Sequence, residues 1–130
     1  MGLDMSIYKT AKGEKIDWED WEELEEVAYW RKFNALHGWF VRHLADGVDN
    51  CEDVIIPKDK LEYLLGVLED VNKHPRSAKR LLPTESGFYF GGTEYDEYYY
   101  EDVKNSIPMI RSILADTDFE TEDLYYTSSW

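Results

Sequence analysis

Leu3, Met5 and Ile7 alternate with Asp4, Ser6 and Tyr8, the two-residue period of a half-buried strand over residues 3–8, which Lys12, Gly13 and Glu14 end. Residues 17–26 follow as a run of carboxylates punctuated by Trp18 and Trp21, and their pattern fits an exposed helix or a loop equally well. Val27, Tyr29 and Arg31 then alternate against Ala28 and Trp30, so residues 24–31 read as a second strand ending in YWR. After it the period lengthens. Phe33, Leu36, Phe40 and Leu44 recur at helical spacing, with Asn34 as a candidate cap and Gly47 as a stop.

The β-branched run at residues 53–56 predicts a short strand. Pro57 then opens a helix with a stripe of Leu61, Leu64, Leu65, Leu68 and Val71. Residues 77–82 suit a helical turn before Pro83, residues 88–90 read as extended, and Gly91-Gly92 permits a tight turn with positive φ. From Asp96 onward Tyr99, Val103, Ile107, Ile110 and Leu114 hold a helical period. Pro108 removes the bond to the Lys104 carbonyl, so a kink is expected there. Residues 124–130 read as a closing strand. Interleaved strands and helices without a repeat predict one α+β domain over residues 1–130, a small mixed sheet covered by about three helices.

Charge narrows the partners. With 14 basic and 28 acidic residues the formal charge is −14, which opposes binding to a nucleic-acid backbone. The basic group at residues 73–80 is short and reads as a solvated helix end. One cysteine, Cys51, excludes an intramolecular disulfide and suits a reducing cytosol. No apolar run approaches a membrane span, and the amino terminus lacks a signal-peptide pattern. Gly2 and Ser6 match a loose myristoylation pattern, which the strand alternation and the absence of a following basic patch outweigh.

Candidate chemistry sits in two polar-aromatic blocks, residues 29–40 and 86–102. In the first, Arg31, Lys32, Asn34 and His37 fall within a helical turn or its approach, and Trp30 and Trp39 are candidate ring walls; ion pairing of Arg31 and a core-edge role for His37 are the simpler alternatives. In the second, Glu94, Tyr95 and Tyr98 offer a carboxylate and phenols, and several neighbouring carboxylates are oxygen donors of the kind a divalent cation takes, although a solvated acidic face explains them more simply. His37, His43, Cys51 and His74 have no zinc spacing, and no P-loop, dinucleotide fingerprint, nucleophile elbow or HExxH occurs. No cofactor or metal is implied.

Four blocks in order, MGLDM, EVAYWRKFNALHGWF, LLPTESGFYFGGTEYDEYYYED and YYTSSW, resemble a widespread group of small bacteriophage and prophage proteins; related chains usually carry Tyr where this one has Ser6. The resemblance implies a viral origin, expression in the cytosol of a bacterial host and no established activity. Small phage proteins of this kind often act on host defences. The resulting expectation is a non-enzymatic counter-defence protein, a homo-oligomer, that sequesters a nucleotide-like immune signal. Arg31, Lys32, Asn34 and His37 would meet polar groups and phosphates, while Trp30, Trp39, Glu94, Tyr95 and Tyr98 complete the site. The alternatives are an acidic inhibitor that presents residues 17–26 to a basic host defence protein, and a metal-assisted phosphodiesterase or nuclease using Glu94, Asp96 and His37.

Overall fold

Four strands form one sheet in the order β2-β1-β4-β3, each pairing antiparallel. They are β1 (Asp4–Ala11), β2 (Glu25–Arg31), β3 (Val54–Ile55) and β4 (Glu122–Ser129). The computed structural model describes residues 2–87 and 90–130, and the side chain of Trp21 lies outside the description. The expected extended run 88–90 therefore falls mostly outside the described residues.

The alternation read from the sequence is what makes this sheet two-faced. Leu3, Met5 and Ile7 are completely buried, as is Leu124 in β4, while Asp4, Tyr8 and Tyr125 look away from the core. One side is covered by α1 (Asn34–Leu44), α2 (Lys58–Lys73) and α4 (Glu97–Asp116), with a short α3 (Ala78–Leu81) closing the bottom of the core through Ala78 and the adjacent Leu82. Each fully buried Leu or Ile contributes about 1.5–3 kcal/mol by leaving water, so the single apolar layer between sheet and helices holds the fold.

The α+β class and the single domain stand, with the sheet antiparallel throughout where a mixed one was expected. Strand sense depends on how loops cross the sheet, which a periodicity does not encode. Residues 17–26 divide between a 3-10 turn at Trp18–Glu23 and the start of β2. The stripe of α2 is rotated slightly: Val67 is buried and Leu65 is only half-buried. Pro108 sits inside α4, which continues for twenty residues. Both Pro108 and Lys104 are exposed, so water can take the carbonyl that the proline leaves without an N–H.

Two local departures from regular geometry set the direction of side chains at the edge of the sheet. Between Ile7 and Tyr8 the pairing of β1 with β2 shifts by one residue, from Ile7 opposite Ala28 to Tyr8 opposite Glu26. Val27 is the extra residue of a bulge, and it reverses the parity so that Glu26 shares the open face with Tyr29. At the β2–α1 junction Lys32 adopts φ 56°, and its N–H donates to the Leu3 carbonyl at 2.7 Å.

Candidate functional site

Helix α1 carries Asn34 and His37 on a buried face, which forces each one to find a partner. Asn34 is not the cap of α1. It is the first helical residue, and its amide is turned away from the helix toward the segment 85–92. Its Nδ2 donates to the carbonyls of Phe90 at 2.9 Å and Gly92 at 2.8 Å, and its Oδ1 accepts the Glu85 N–H at 2.9 Å. Gly91, at φ 85°, makes the turn that presents both carbonyls to one amide. Asn34 thus fastens that loop over the helix.

One turn further on, His37 is 1% exposed and uses both ring nitrogens. Nε2 lies 2.9 Å from Asp49 Oδ2, and Nδ1 lies 2.6 Å from the Tyr126 hydroxyl. An ionised carboxylate can only accept, so Nε2 donates to Asp49 and a neutral ring accepts the Tyr126 proton at Nδ1. Burial, and then the charge of Asp49, push the Tyr126 phenol well above its ordinary 10.0, which keeps it a donor. The other Asp49 oxygen accepts from Trp130 Nε1 at 3.2 Å. Phe90 meets His37 edge-on at 5.2 Å and Trp130 edge-on at 5.9 Å. A chain of hydrogen bonds therefore runs from the sheet through α1 to the surface.

Above that chain lies a cleft of about 230 Å³ lined by His37, Gly38, Arg42, Asp49, Glu85 and Phe90 among others. Glu85 crosses α1 at Gly38 to reach Arg42 at 2.8 Å. A Cβ on Gly38 would stand 2.4 Å from Glu85 Cγ, so only glycine lets the carboxylate cross there. The Arg42 and Glu85 side chains are both partly exposed, at 36% and 42%, and remain available to a visitor. A second hollow behind His37, near Tyr126 and Cys51, measures about 10 Å³. That is room for one water at most.

Among the residues expected at a site, His37 alone lines this cleft. Trp30 is a core residue whose Nε1 donates to Ser106 Oγ at 2.9 Å. Trp39 is completely buried, stacks on His43 at 4.5 Å and, among the described residues, leaves its Nε1 without a partner. Neither indole can be a ligand wall: residue type made them candidates, but both rings are turned into the core. Arg31 and Lys32 are exposed beside Gly2 and do not line this cleft. Tyr95 is half-buried with its hydroxyl accepting the Thr84 N–H at 3.1 Å, whereas Glu94 and Tyr98 are exposed. Asp96, named with Glu94 and His37 for metal-assisted chemistry, caps α4 by accepting the Tyr99 N–H at 3.1 Å. Among the described residues no group of three or more His, Cys, Asp or Glu side chains is arranged to hold a metal ion.

Arg42, Asp49, Glu85, Tyr126 and Trp130 were not singled out from the sequence. For Tyr126 a signal existed: it shares parity with Leu124, and a phenol forced inward must bond to something. Nothing in spacing points to Asp49 or Glu85, which arrive on irregular loops. No helix among the described residues is long and apolar enough to cross a membrane. No protein-family model matches the chain, and comparisons with curated proteins and with solved structures return no match.

Proposed function

We propose that the chain is a non-enzymatic binding protein of phage type, acting against host defence, that captures a small nucleotide-like ligand in the cleft over His37. The observation that supports this is the meeting of Arg42, Asp49 and Glu85 in one partly open cleft beside the exposed ring of Trp130. Carboxylates accept from the ring N–H and amino groups of a nucleobase, an exposed indole stacks on its face, and a guanidinium meets a ribose hydroxyl or phosphate. Two carboxylates against one guanidinium favour the base over the phosphates as the group that enters the cleft. Isothermal titration of the protein with guanosine, adenosine, cyclic dinucleotides and ADP-ribose tests the reading. Binding of one member, weakened about tenfold or more by Glu85→Gln and by Trp130→Ala, supports it. The absence of heat with every member at millimolar concentration refutes it.

A second reading has its own support. The exposed carboxylates Glu19, Asp20, Glu22 and Glu23 of the 3-10 turn and the overall charge of −14 suit an acidic inhibitor of a basic host protein. Such a complex weakens steeply with added salt.

A further inference from the structure

The side of the sheet that no helix covers is not a plain solvated surface. Between Asp4, Ser6, Tyr8, Glu26, Tyr29 and the Trp18 ring lies a trough of about 380 Å³, bordered along β4 by Thr127 and Ser129. Its rings are fixed in place. Trp18 Nε1 donates to Asp53 at 2.8 Å, which stands the indole against Tyr8 at 5.4 Å and 83° between planes. The Tyr29 hydroxyl donates to Asp4 across the β1–β2 pairing. Trp18 and Tyr29 are nevertheless 46% and 48% exposed, large aromatic faces turned to water.

The carboxylate in the trough is held just as firmly. Glu26 faces this side only because the bulge at Val27 reverses parity in β2. Its Oε2 accepts from Ser6 at 2.7 Å and from Tyr8 at 3.2 Å. Among the described residues no ion pair involves Glu26 or Asp4. Arg31 is the cross-strand neighbour of Asp4 on this face, but its guanidinium is directed to the Gly2 edge, 3.7 Å from where a Gly2 Cβ would be, and makes no ion pair with Asp4. The lining is thus mainly carboxylates, hydroxyls and aromatic faces, with no cation in ion-pair contact with either carboxylate among the described residues.

We infer that this trough is a docking site for an arginine side chain on a basic protein segment. The inference rests on the acidic-inhibitor reading and names its contact. A planar guanidinium stacks on an indole or phenol face while its forked N–H donors meet a carboxylate edge-on, and the flanking hydroxyls accept the remaining donors. A lysine ammonium satisfies the charge but cannot combine the fork with stacking. A polyanion is repelled by Asp4 and Glu26.

Fluorescence anisotropy of the full chain with a labelled peptide of alternating glycine and arginine tests this, with lysine and citrulline versions as controls. The arginine peptide is expected to bind about fivefold or more tighter than the lysine one, and the citrulline peptide not measurably. Glu26→Gln is expected to weaken the arginine peptide about tenfold, while Glu101→Gln, the same charge change on α4, changes it less than about twofold. Trp18→Ala, which leaves the sheet bonds in place, is expected to cost about fivefold and supplies an independent measurement should Glu26→Gln perturb folding. Equal losses from Glu26→Gln and Glu101→Gln overturn the trough and leave the acidic-surface reading intact. No binding of either cationic peptide at low salt removes both.

Discussion

The two faces of one sheet treat the same residue types in opposite ways. On the inner face of the sheet, two aromatic residues of the strands bond within the core through their polar handles: Tyr126 to His37 and Trp30 to Ser106. On the outer face, their strand neighbours Tyr125 and Tyr29 point away from it, and Tyr29 bonds to the partly exposed Asp4. Buried handles specify one arrangement, since a donor without a partner there is costly; exposed handles remain usable by something that arrives from solvent. An aromatic-rich sequence block is therefore not one functional unit. Parity splits it into architecture and surface.

Truncation separates the faces most sharply. Leu68→Ala, inside the apolar layer, is expected to destabilise the fold by about 2–5 kcal/mol in urea unfolding, while Tyr29→Ala should stay within about 1 kcal/mol. Similar costs at both positions would contradict an open outer face. Next in size is the hydroxyl alone. Tyr126→Phe leaves His37 Nδ1 buried without its donor and is expected to cost about 1–3 kcal/mol, against a few tenths for Tyr29→Phe, whose Asp4 partner stays in water. A loss at Tyr126 no greater than that at Tyr29 would remove the bonded chain from the energetics of the core.

The inner face was the more legible in the sequence, and the reason is geometric. Alternation in β1 and the stripe of α2 are direct consequences of burying one face, so the periods alone are enough to place Leu3, Met5, Ile7 and Leu68 in the core. Residues 24–31 were harder because the bulge at Val27 breaks the alternation halfway, and the trough arises from that same bulge. The cleft was least legible. Asp49 and Glu85 lie on irregular segments; Glu85 is brought to α1 by the Asn34 fastening and the absence of a Cβ at Gly38, and Asp49 meets α1 through His37, all contacts that spacing does not encode. Trp39 and Trp30 misled because their residue type suits a ligand wall as well as a core.

A smaller effect probes the junction between the faces, where β2 turns into α1. Lys32 holds φ 56°, a conformation costing about 1 kcal/mol for a residue with a Cβ. Lys32→Gly is expected to keep or raise stability by up to about 1 kcal/mol, and Lys32→Val to lower it by more than that. A Lys32→Gly variant that folds normally yet loses ligand would move Lys32 from geometry to binding.

The smallest effect lies at the margin of the inner layer. His43 stacks on the buried Trp39, and burial, followed by the positive charges of Lys60 and Arg42, depresses its pKa below 6.5. The folded chain thus holds the His43 proton less tightly than the unfolded chain does. Its contribution to stability is complete above about pH 6.5 and is lost as pH falls below that value toward the folded pKa. The difference in unfolding free energy between the parent and His43→Gln should therefore shrink in favour of the variant on going from neutral to mildly acidic pH. The imidazole resonances of His43 should titrate below 6.5 in the folded protein, and titration at or above 6.5 would show that the ring stands in water rather than against the core.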